Sequence, residues 1–306
     1  VDIKIRRAGS GLIVETAKYR YAIDKASGVS ADYHIISHAH SDHLPRNALG
    51  KLVASRETYE LAVKKGIKMG RLVENIDNIT LIDSGHILGS KAALIEDRIL
   101  YTGDLNIRSR LFLEGFRPRE AEILIIEATY GDPKYKFDSF NELAKSANSL
   151  IMELLRKNIN VLAIGYSLGK AQILTQLLDW YNNLYVSNSV YKYNEAYRKL
   201  GVKLNSRYER WNQDVEEPFI LIAHSTNKDA KDAIMRYDAI PIYFTGWAVS
   251  RSWEDRIGIG LSDHSDFYDL MRVIDRVNPS KIYTIYGQKV RFAKILRSLG
   301  YDAESI

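Results

Sequence analysis

Hydrophobic positions along this chain fall into two regimes. From Gly11 to about residue 126 they come in short apolar runs, at 12–15, 33–37, 80–82, 92–95, 99–101 and 123–126, separated by turn residues, which is the pattern of strands. One stretch, over 56–65, has helical spacing instead. Polar and charged residues collect where these strands end. From about Asp138 the texture changes: 140–157 predicts a helix, 161–164 a strand, and 170–182 a further helix. After Trp247 the order strand, helix over 267–277, strand over 281–285 and a last helix returns. Strands alternating with helices predict an α/β chain. There is no internal repeat or low-complexity segment.

Composition narrows the partners rather than the fold. A length of 306 residues allows one large domain or two modest ones. Hydrophobic residues at 46% and charged residues at 26% exclude a disordered chain. No apolar run reaches the roughly 18 residues that span a bilayer, and Lys4, Arg6 and Arg7 are not followed by an apolar signal core. A soluble, intracellular, cytoplasmic protein without a membrane partner is expected. Cysteine is absent, which excludes disulfides, thiolate metal sites and cysteine nucleophiles, so a bound metal must sit on His, Asp or Glu. The net charge of +5 fits an anionic partner without requiring one. Between Tyr185 and Trp211, Lys192, Arg198, Lys199, Lys203, Arg207 and Arg210 are interleaved with Tyr191, Tyr193, Tyr197 and Tyr208. That mixture suits a surface that neutralises phosphates and stacks bases, and equally a solvated helix.

The strongest chemical signal is His38-Ala39-His40-Ser41-Asp42-His43, directly after an apolar strand. Imidazole and carboxylate are the nitrogen and oxygen donors that zinc or manganese accepts, and a tight turn after a strand fans alternate side chains outward. His86 in Ser84-Gly85-His86 and Asp104 in Tyr101-Thr102-Gly103-Asp104 are further ligand candidates at glycine-flanked strand ends. Asp24, ending Tyr21-Ala22-Ile23-Asp24, is placed to orient a ligand histidine. His34 and His224 have no motif around them and read as ordinary strand-associated histidines.

These pieces, in this order, resemble the metallo-β-lactamase fold at both ends of the chain. Ile125-Ile126-Glu127-Ala128-Thr129-Tyr130-Gly131, then Leu261-Ser262-Asp263-His264-Ser265-Asp266, then Ile285-Tyr286-Gly287 resemble motifs A, B and C of the β-CASP nucleases. Gly165-Tyr166-Ser167-Leu168-Gly169-Lys170-Ala171-Gln172 and Thr245-Gly246-Trp247 are most similar to ligase-associated DNA exonucleases and their archaeal mRNA 3′-end processing factor-like relatives, and less so to Artemis-like proteins. The resemblance implies an αββα four-layer metallo-β-lactamase sandwich built from residues 1–137 and 249–306, with an inserted α/β β-CASP domain over 138–248.

It also implies the site. His38, His40 and His86 would hold a first zinc ion with Asp104 bridging, and Asp42, His43 and Asp104 a second, with manganese or magnesium as alternative ions. The remaining family ligand is a motif C histidine, and Tyr286 stands in its place. A neutral phenol with an ordinary pKa near 10 is a poor zinc ligand, so the second ion is expected to bind more weakly, with Asp24 and Tyr286 behind the ligands. Asp42, His264 and Glu127 are the expected catalytic group, His264 as proton donor to the leaving oxygen and Glu127 as its partner. Ser167 and Lys170 at a glycine-bounded turn, together with Trp247, are candidates for binding phosphate or nucleic acid. A plain helix cap explains Ser167 and Gly169 equally well. Arg108, Arg110, Arg117 and Arg119 are further phosphate-contact candidates. The implied activity is zinc-dependent hydrolysis of phosphodiester bonds at an end of single-stranded DNA or RNA. A DNA exonuclease working with repair proteins comes first, an RNA-processing nuclease second, and a catalytically silent nucleic-acid-binding subunit last.

Overall fold

The structure is a computed structural model that describes residues 3–26, 28, 30–46, 51–73, 76–204, 207–212, 214–250 and 256–306. The chain divides into two compact units, one of Val1–Ser109, Leu113–Pro133 and His264–Ile306, the other of Arg110–Phe112 and Lys134–Asp263. The first unit opens with β1 (Lys4–Ala8), β2 (Gly11–Glu15), β3 (Arg20–Ile23), β4 (Tyr33–Ile35), β5 (Lys51–Val53), α1 (Arg56–Lys64), β6 (Ile79–Asp83), β7 (Lys91–Ile95), β8 (Ile99–Tyr101) and β9 (Ile123–Glu127). The second holds α2 (Phe140–Arg156), β10 (Val161–Ile164), α3 (Lys170–Leu177), β11 (Leu184–Val186), α4 (Asn188–Lys199), β12 (Glu209–Arg210), β13 (Ile220–Ala223), α5 (Lys228–Tyr237), β14 (Ile240–Phe244), a short 3-10 turn over Gly246–Val249 and β15 (Ile257–Ile259). The chain then returns to the first unit with α6 (Phe267–Val277), β16 (Lys281–Ile285), α7 (Lys289–Ser298) and β17 (Ala303–Ser305).

Two sheets make up the first unit, in the orders β1-β2-β3-β4-β5 and β17-β16-β9-β8-β7-β6. They share one core: Leu12, Val14, Tyr21, Ile23 and Ile35 meet Ile95, Ile99, Tyr101, Ile125 and Ile285. The opposite face of the second sheet packs Leu100, Leu124 and Ile126 against Leu270, Val273 and Ile274 of α6 and Phe292 and Leu296 of α7. Because side chains alternate along a strand, Ile125 goes to one core and Leu124 and Ile126 to the other, which is why β9 reads as an unbroken apolar run. The buried stripe of α6, Leu270, Val273, Ile274 and Val277, follows helical spacing. Asp266 caps its start by accepting from the Asp269 amide, and Asn278 ends it in the left-handed conformation.

The second unit is one parallel sheet, β12-β11-β13-β10-β14-β15. A capping box between Ser139 and Glu142 starts α2 where the spacing predicts. The helix expected over 170–182 stops at Leu177. Beyond it the Trp180 ring nitrogen donates to Asn148 and the Tyr181 hydroxyl to the Pro218 carbonyl, which hold the chain out of helical register. The 185–211 segment departs further from a base-stacking surface. Tyr185, Tyr197, Tyr208 and Trp211 are buried, and Tyr185 and Trp211 join Leu162, Phe219 and Leu221 in the core. Lys192, Lys199, Lys203, Arg207 and Arg210 stay exposed, so the segment offers solvent mainly its cations. Among the described residues no helix is long and apolar enough to cross a membrane.

Candidate metal centre

Strand direction assembles the site. β3 and β4 run parallel, so Asp24, just past β3, lies beside Ser37 and His38, just past β4. In the second sheet β8, β9 and β16 are parallel and β6 points the same way, so His86, Asp104, Glu127 and Tyr286 all follow carboxyl ends on one side. Gly85 lets the His86 loop close: its φ is +73°, and a Cβ there would stand 2.3 Å from the Asn106 carbonyl oxygen.

His38 Nε2 and His86 Nε2 each lie 3.1 Å from His40 Nδ1. Asp104 Oδ2 lies 3.5 Å from His38 Nε2 and 3.6 Å from His86 Nε2. Donors about 2.0–2.1 Å from a tetrahedral ion sit about 3.4 Å apart, so these four atoms have the spacing of one ion's ligands. They also form one of two metal-competent groups of His and carboxylate side chains among the described residues. Burial, with His43, His40 and His86 adding to it, holds the His38 imidazole well below its usual range and so in the neutral, ligating form. Burial pushes the Asp104 carboxyl up to about 6, with Glu127 and Asp42 adding to it, against the pull of His43 and His264. Three imidazoles and a carboxylate converging on one point, with little solvent, fit a divalent cation.

His43 Nε2 faces the same carboxylate at 3.5 Å and Asp42 Oδ2 at 3.8 Å, while the Asp42 side chain is 79% exposed. The other ring nitrogen of His43 lies 2.7 Å from Asp24 Oδ2. Asp24 is fully buried and also accepts from the Ser37 amide, the Ser37 hydroxyl and the Tyr101 hydroxyl. Tyr286 joins this network through Tyr101, the two hydroxyls 3.2 Å apart, and its ring meets His43 edge-on at 5.0 Å between centroids. Its φ of +59° is rare for an aromatic residue, and burial pushes its phenol up, so it stays neutral.

The other metal-competent group is Asp104, Glu127 and His264. Glu127, however, is already engaged: it accepts from the Leu105 amide at 2.9 Å and the Thr129 amide at 3.2 Å and lies 2.8 Å from His264 Nδ1. Burial alone would raise its carboxyl, but His264 and these bonds hold it below the usual range. His264 Nε2 is then left facing Asp104 Oδ2 at 3.9 Å. The loops carrying Asp104 and His264 are sewn together, the Ser265 amide donating to the Leu105 carbonyl at 2.8 Å and the Asn106 side chain to the His264 carbonyl at 3.2 Å. Arg108 fastens the same junction to α6 through Asp266 at 2.7 Å and Asp269 at 2.6 Å.

The remaining expected residues go elsewhere. Within the second unit, Lys170 is buried, its Nζ 3.0 Å from Asp263 and bonded to the Leu261 carbonyl, so that amine is committed inside the unit. Arg110 pairs with the same Asp263 at 3.0 Å. Ser167 Oγ lies 3.0 Å from Ser189 Oγ, and Trp247 packs edge-on against Tyr135. Arg117 and Arg119 are exposed. His34 holds the Asp24 backbone carbonyl at 2.6 Å. Tyr101, Ser37 and the clamp made by Arg108 escape sequence reasoning; the only hint of Tyr101 is its place at the strand end two residues before Gly103.

No family profile matches the chain. A probable DNA ligase of Opitutus terrae is 27% identical over 294 residues, which cover 89% of this chain and 28% of that protein. An RNase J-like protein of Methanocaldococcus jannaschii is 26% identical over 213 residues, 55% of this chain and 51% of its own. Cleavage and polyadenylation specificity factor subunit 3 of Dictyostelium discoideum is 31% identical over 160 residues, 46% of this chain and 20% of its own. The chain thus spans about half or less of the length of each of these relatives. A crystal structure of a protein of unknown function from Enterococcus faecalis superposes with a TM-score of 0.66 at 12% identity, covering 99% of this chain and 97% of that one, a likeness of fold.

Proposed function

We propose that this chain, which belongs to the β-CASP branch of the metallo-β-lactamase family, is a metal-dependent hydrolase of phosphodiester bonds in nucleic acid, and first of all a DNA exonuclease in repair. In this reading the two sheets of the first unit, flanked by α1 on one side and by α6 and α7 on the other, correspond to the αββα sandwich expected from 1–137 and 249–306, and the second unit, whose sheet also takes in β15 and which runs to Asp263, corresponds to the β-CASP insert expected over 138–248. The observation that carries the proposal is the Glu127–His264 pair, its outer nitrogen 3.9 Å from a carboxylate that also faces three histidines. A proton donor set beside a metal-competent pocket is what cleavage of a phosphodiester needs.

His38, His40, His86 and Asp104 would hold one zinc ion tightly, and Asp42, His43 and Asp104 would offer a weaker second place because Tyr286 brings a neutral phenol there; manganese or magnesium would be the alternatives. A divalent ion in that pocket supplies positive charge against the phosphate oxygens and eases ionisation of the attacking water. Asp24 fixes the ring of His43, so that Nε2 faces the pocket. His264 gives its Nε2 proton to the departing 3′ oxygen, and Glu127 holds the Nδ1 proton and favours the imidazolium before that transfer. The products are a 5′-phosphate and a 3′-hydroxyl. Ser167 and Trp247 are secondary candidates for contacts to the strand.

A relative whose match covers 89% of this chain is named a probable DNA ligase, which favours DNA. RNA processing is the second reading, favoured by the RNase J-like and polyadenylation-factor relatives. Incubation of metal-loaded protein with 5′-labelled single-stranded DNA and RNA, each with free or blocked ends, and with Asp104→Ala as control, tests both. DNA cleavage lost in the variant is expected. Cleavage of RNA alone moves the assignment to RNA processing, and cleavage of neither overturns the proposal.

A further inference from the structure

The carboxyl ends of β10 and β13 carry an aromatic pair, exposed Tyr166 and half-buried His224, that the metal centre does not use. β10 connects to β11 through α3, and β13 connects to β14 through α5. In the sheet order β11-β13-β10-β14 these connections run in opposite directions. Right-handed crossovers therefore place α3 and α5 on opposite faces, α5 resting through Ala230 and Ala233 on the face of Leu162, Leu221 and Ala223. The loops leaving the two neighbouring strands part at this point. In open parallel sheets the crevice between such diverging loops is where ligands bind.

Here those loops present Tyr166 and His224. Tyr166 is 66% exposed, whereas Tyr185, Tyr197 and Tyr208 of the same unit are buried. Its ring lies 5.6 Å from that of His224, tilted by 33°, and Thr226 Oγ1 steadies the imidazole at 2.8 Å from Nδ1. Beside the rings runs a polar row drawn from the ends of three strands: Ser167 Oγ lies 3.0 Å from Ser189 Oγ, which accepts from Asn227 Nδ2 at 3.0 Å.

We infer that Tyr166 and His224 form a stacking shelf for a nucleobase, with the Ser167, Ser189 and Asn227 row beside its sugar and phosphate. The inference rests on the nuclease reading for its substrate class and deepens it by giving the second unit a nucleotide subsite of its own. A tyrosine ring accepts any base on its π face, so the shelf is indifferent to sequence. A free mononucleotide and a base within a strand share this chemistry.

The test uses the whole protein and a single strand carrying 2-aminopurine on hydrolysis-resistant phosphorothioate linkages, read by quenching and by anisotropy. Tyr166→Ala should weaken binding on the order of tenfold and abolish much of the quenching, while Tyr166→Trp retains both. An abasic residue in place of 2-aminopurine should erase the difference between wild type and Tyr166→Ala. Competition by AMP or dAMP that depends on Tyr166 marks the shelf as open to free nucleotides; competition by strands alone marks it as a strand contact, and both support it. Unchanged binding in Tyr166→Ala and in His224→Ala, with the fold intact by circular dichroism, overturns the shelf. So does an equal loss on the abasic strand. Because binding is read without cleavage, a chain that stacks bases yet hydrolyses nothing sinks the nuclease reading and leaves the shelf standing.

Discussion

Glu127 Oε1 and His264 Nδ1 stand 2.8 Å apart, although 137 positions separate them in the chain. One end of the imidazole is thereby fixed and the other faces Asp104. His264→Ala should lower phosphodiester cleavage by on the order of 10²–10⁴-fold. The same variant should bind metal as wild type does, because Glu127 is occupied by the Leu105 and Thr129 amides. Loss of metal in parallel with activity would make His264 a ligand instead of a proton donor.

In the proposed reading Tyr286 stands where a ligand histidine would, and Tyr101 ties it into the Asp24 network. Tyr286→His should raise the number of tightly held ions per chain from one towards two. Native mass spectrometry across a zinc titration reads this directly, and an unchanged stoichiometry defeats the explanation of the weaker second place.

Removal of a divalent ion from the proposed site should expose how much it stabilises the first unit. A ligand at a hundred times its Kd stabilises the folded state by about 2.7 kcal/mol. Thermal melts with chelator and with added zinc should differ accordingly in wild type, and the difference should collapse in His38→Ala and His86→Ala. A zinc effect that survives both substitutions would place the ion elsewhere.

Arg108 satisfies Asp266 and Asp269, two buried carboxylates at the start of α6. Burial, then Asp266, raises the Asp269 carboxyl despite that guanidinium. Arg108→Met should cost about 3 kcal/mol in urea denaturation, because the buried carboxylates lose the guanidinium nearest them. An effect below about 0.5 kcal/mol would assign the pairing no structural weight.

Lys170 gives a pH signature in the second unit. Burial lowers its amine from the ordinary 10.5 to about 8, against the pull of Asp263. Between about pH 8 and 10.5 the unfolded chain therefore binds the extra proton, and this group's contribution to stability rises with pH across that window. Wild type should gain thermal stability relative to Lys170→Met as pH increases from 8 to 10. A difference independent of pH contradicts the depressed amine.

Much of the chain is legible from its apolar pattern: β2, β7, β8 and β9 of the first unit fall where the short runs place them, and α2 of the second unit and α6 of the first start where helical spacing predicts. Edge strands such as β1, with Lys4, Arg6 and Arg7, carry too little apolar signal to read. Lys170 and Arg110 show the complementary limit, since a cation beside Gly169 or in the arginine-rich stretch after Asp104 reads as a phosphate contact until its buried partner Asp263 is seen. The tyrosines after Leu184 fail likewise, because spacing does not tell a ring that stacks on bases from one that fills a core.

Chain neighbours by themselves determine the His38-to-His43 cluster, since one turn after one strand carries it whatever the rest of the fold does. The sequence also determines that any metal is held by nitrogen and oxygen, there being no cysteine. The three-dimensional structure alone decides that His86 and Asp104 complete that cluster, that Glu127 reaches His264, and that Asp24, Tyr101 and Tyr286 form one network behind it. The reason is strand direction. Residues far apart in the chain meet because β6, β8, β9 and β16 all end on the same side of one sheet, and that parallel pairing is a long-range choice that no local pattern records.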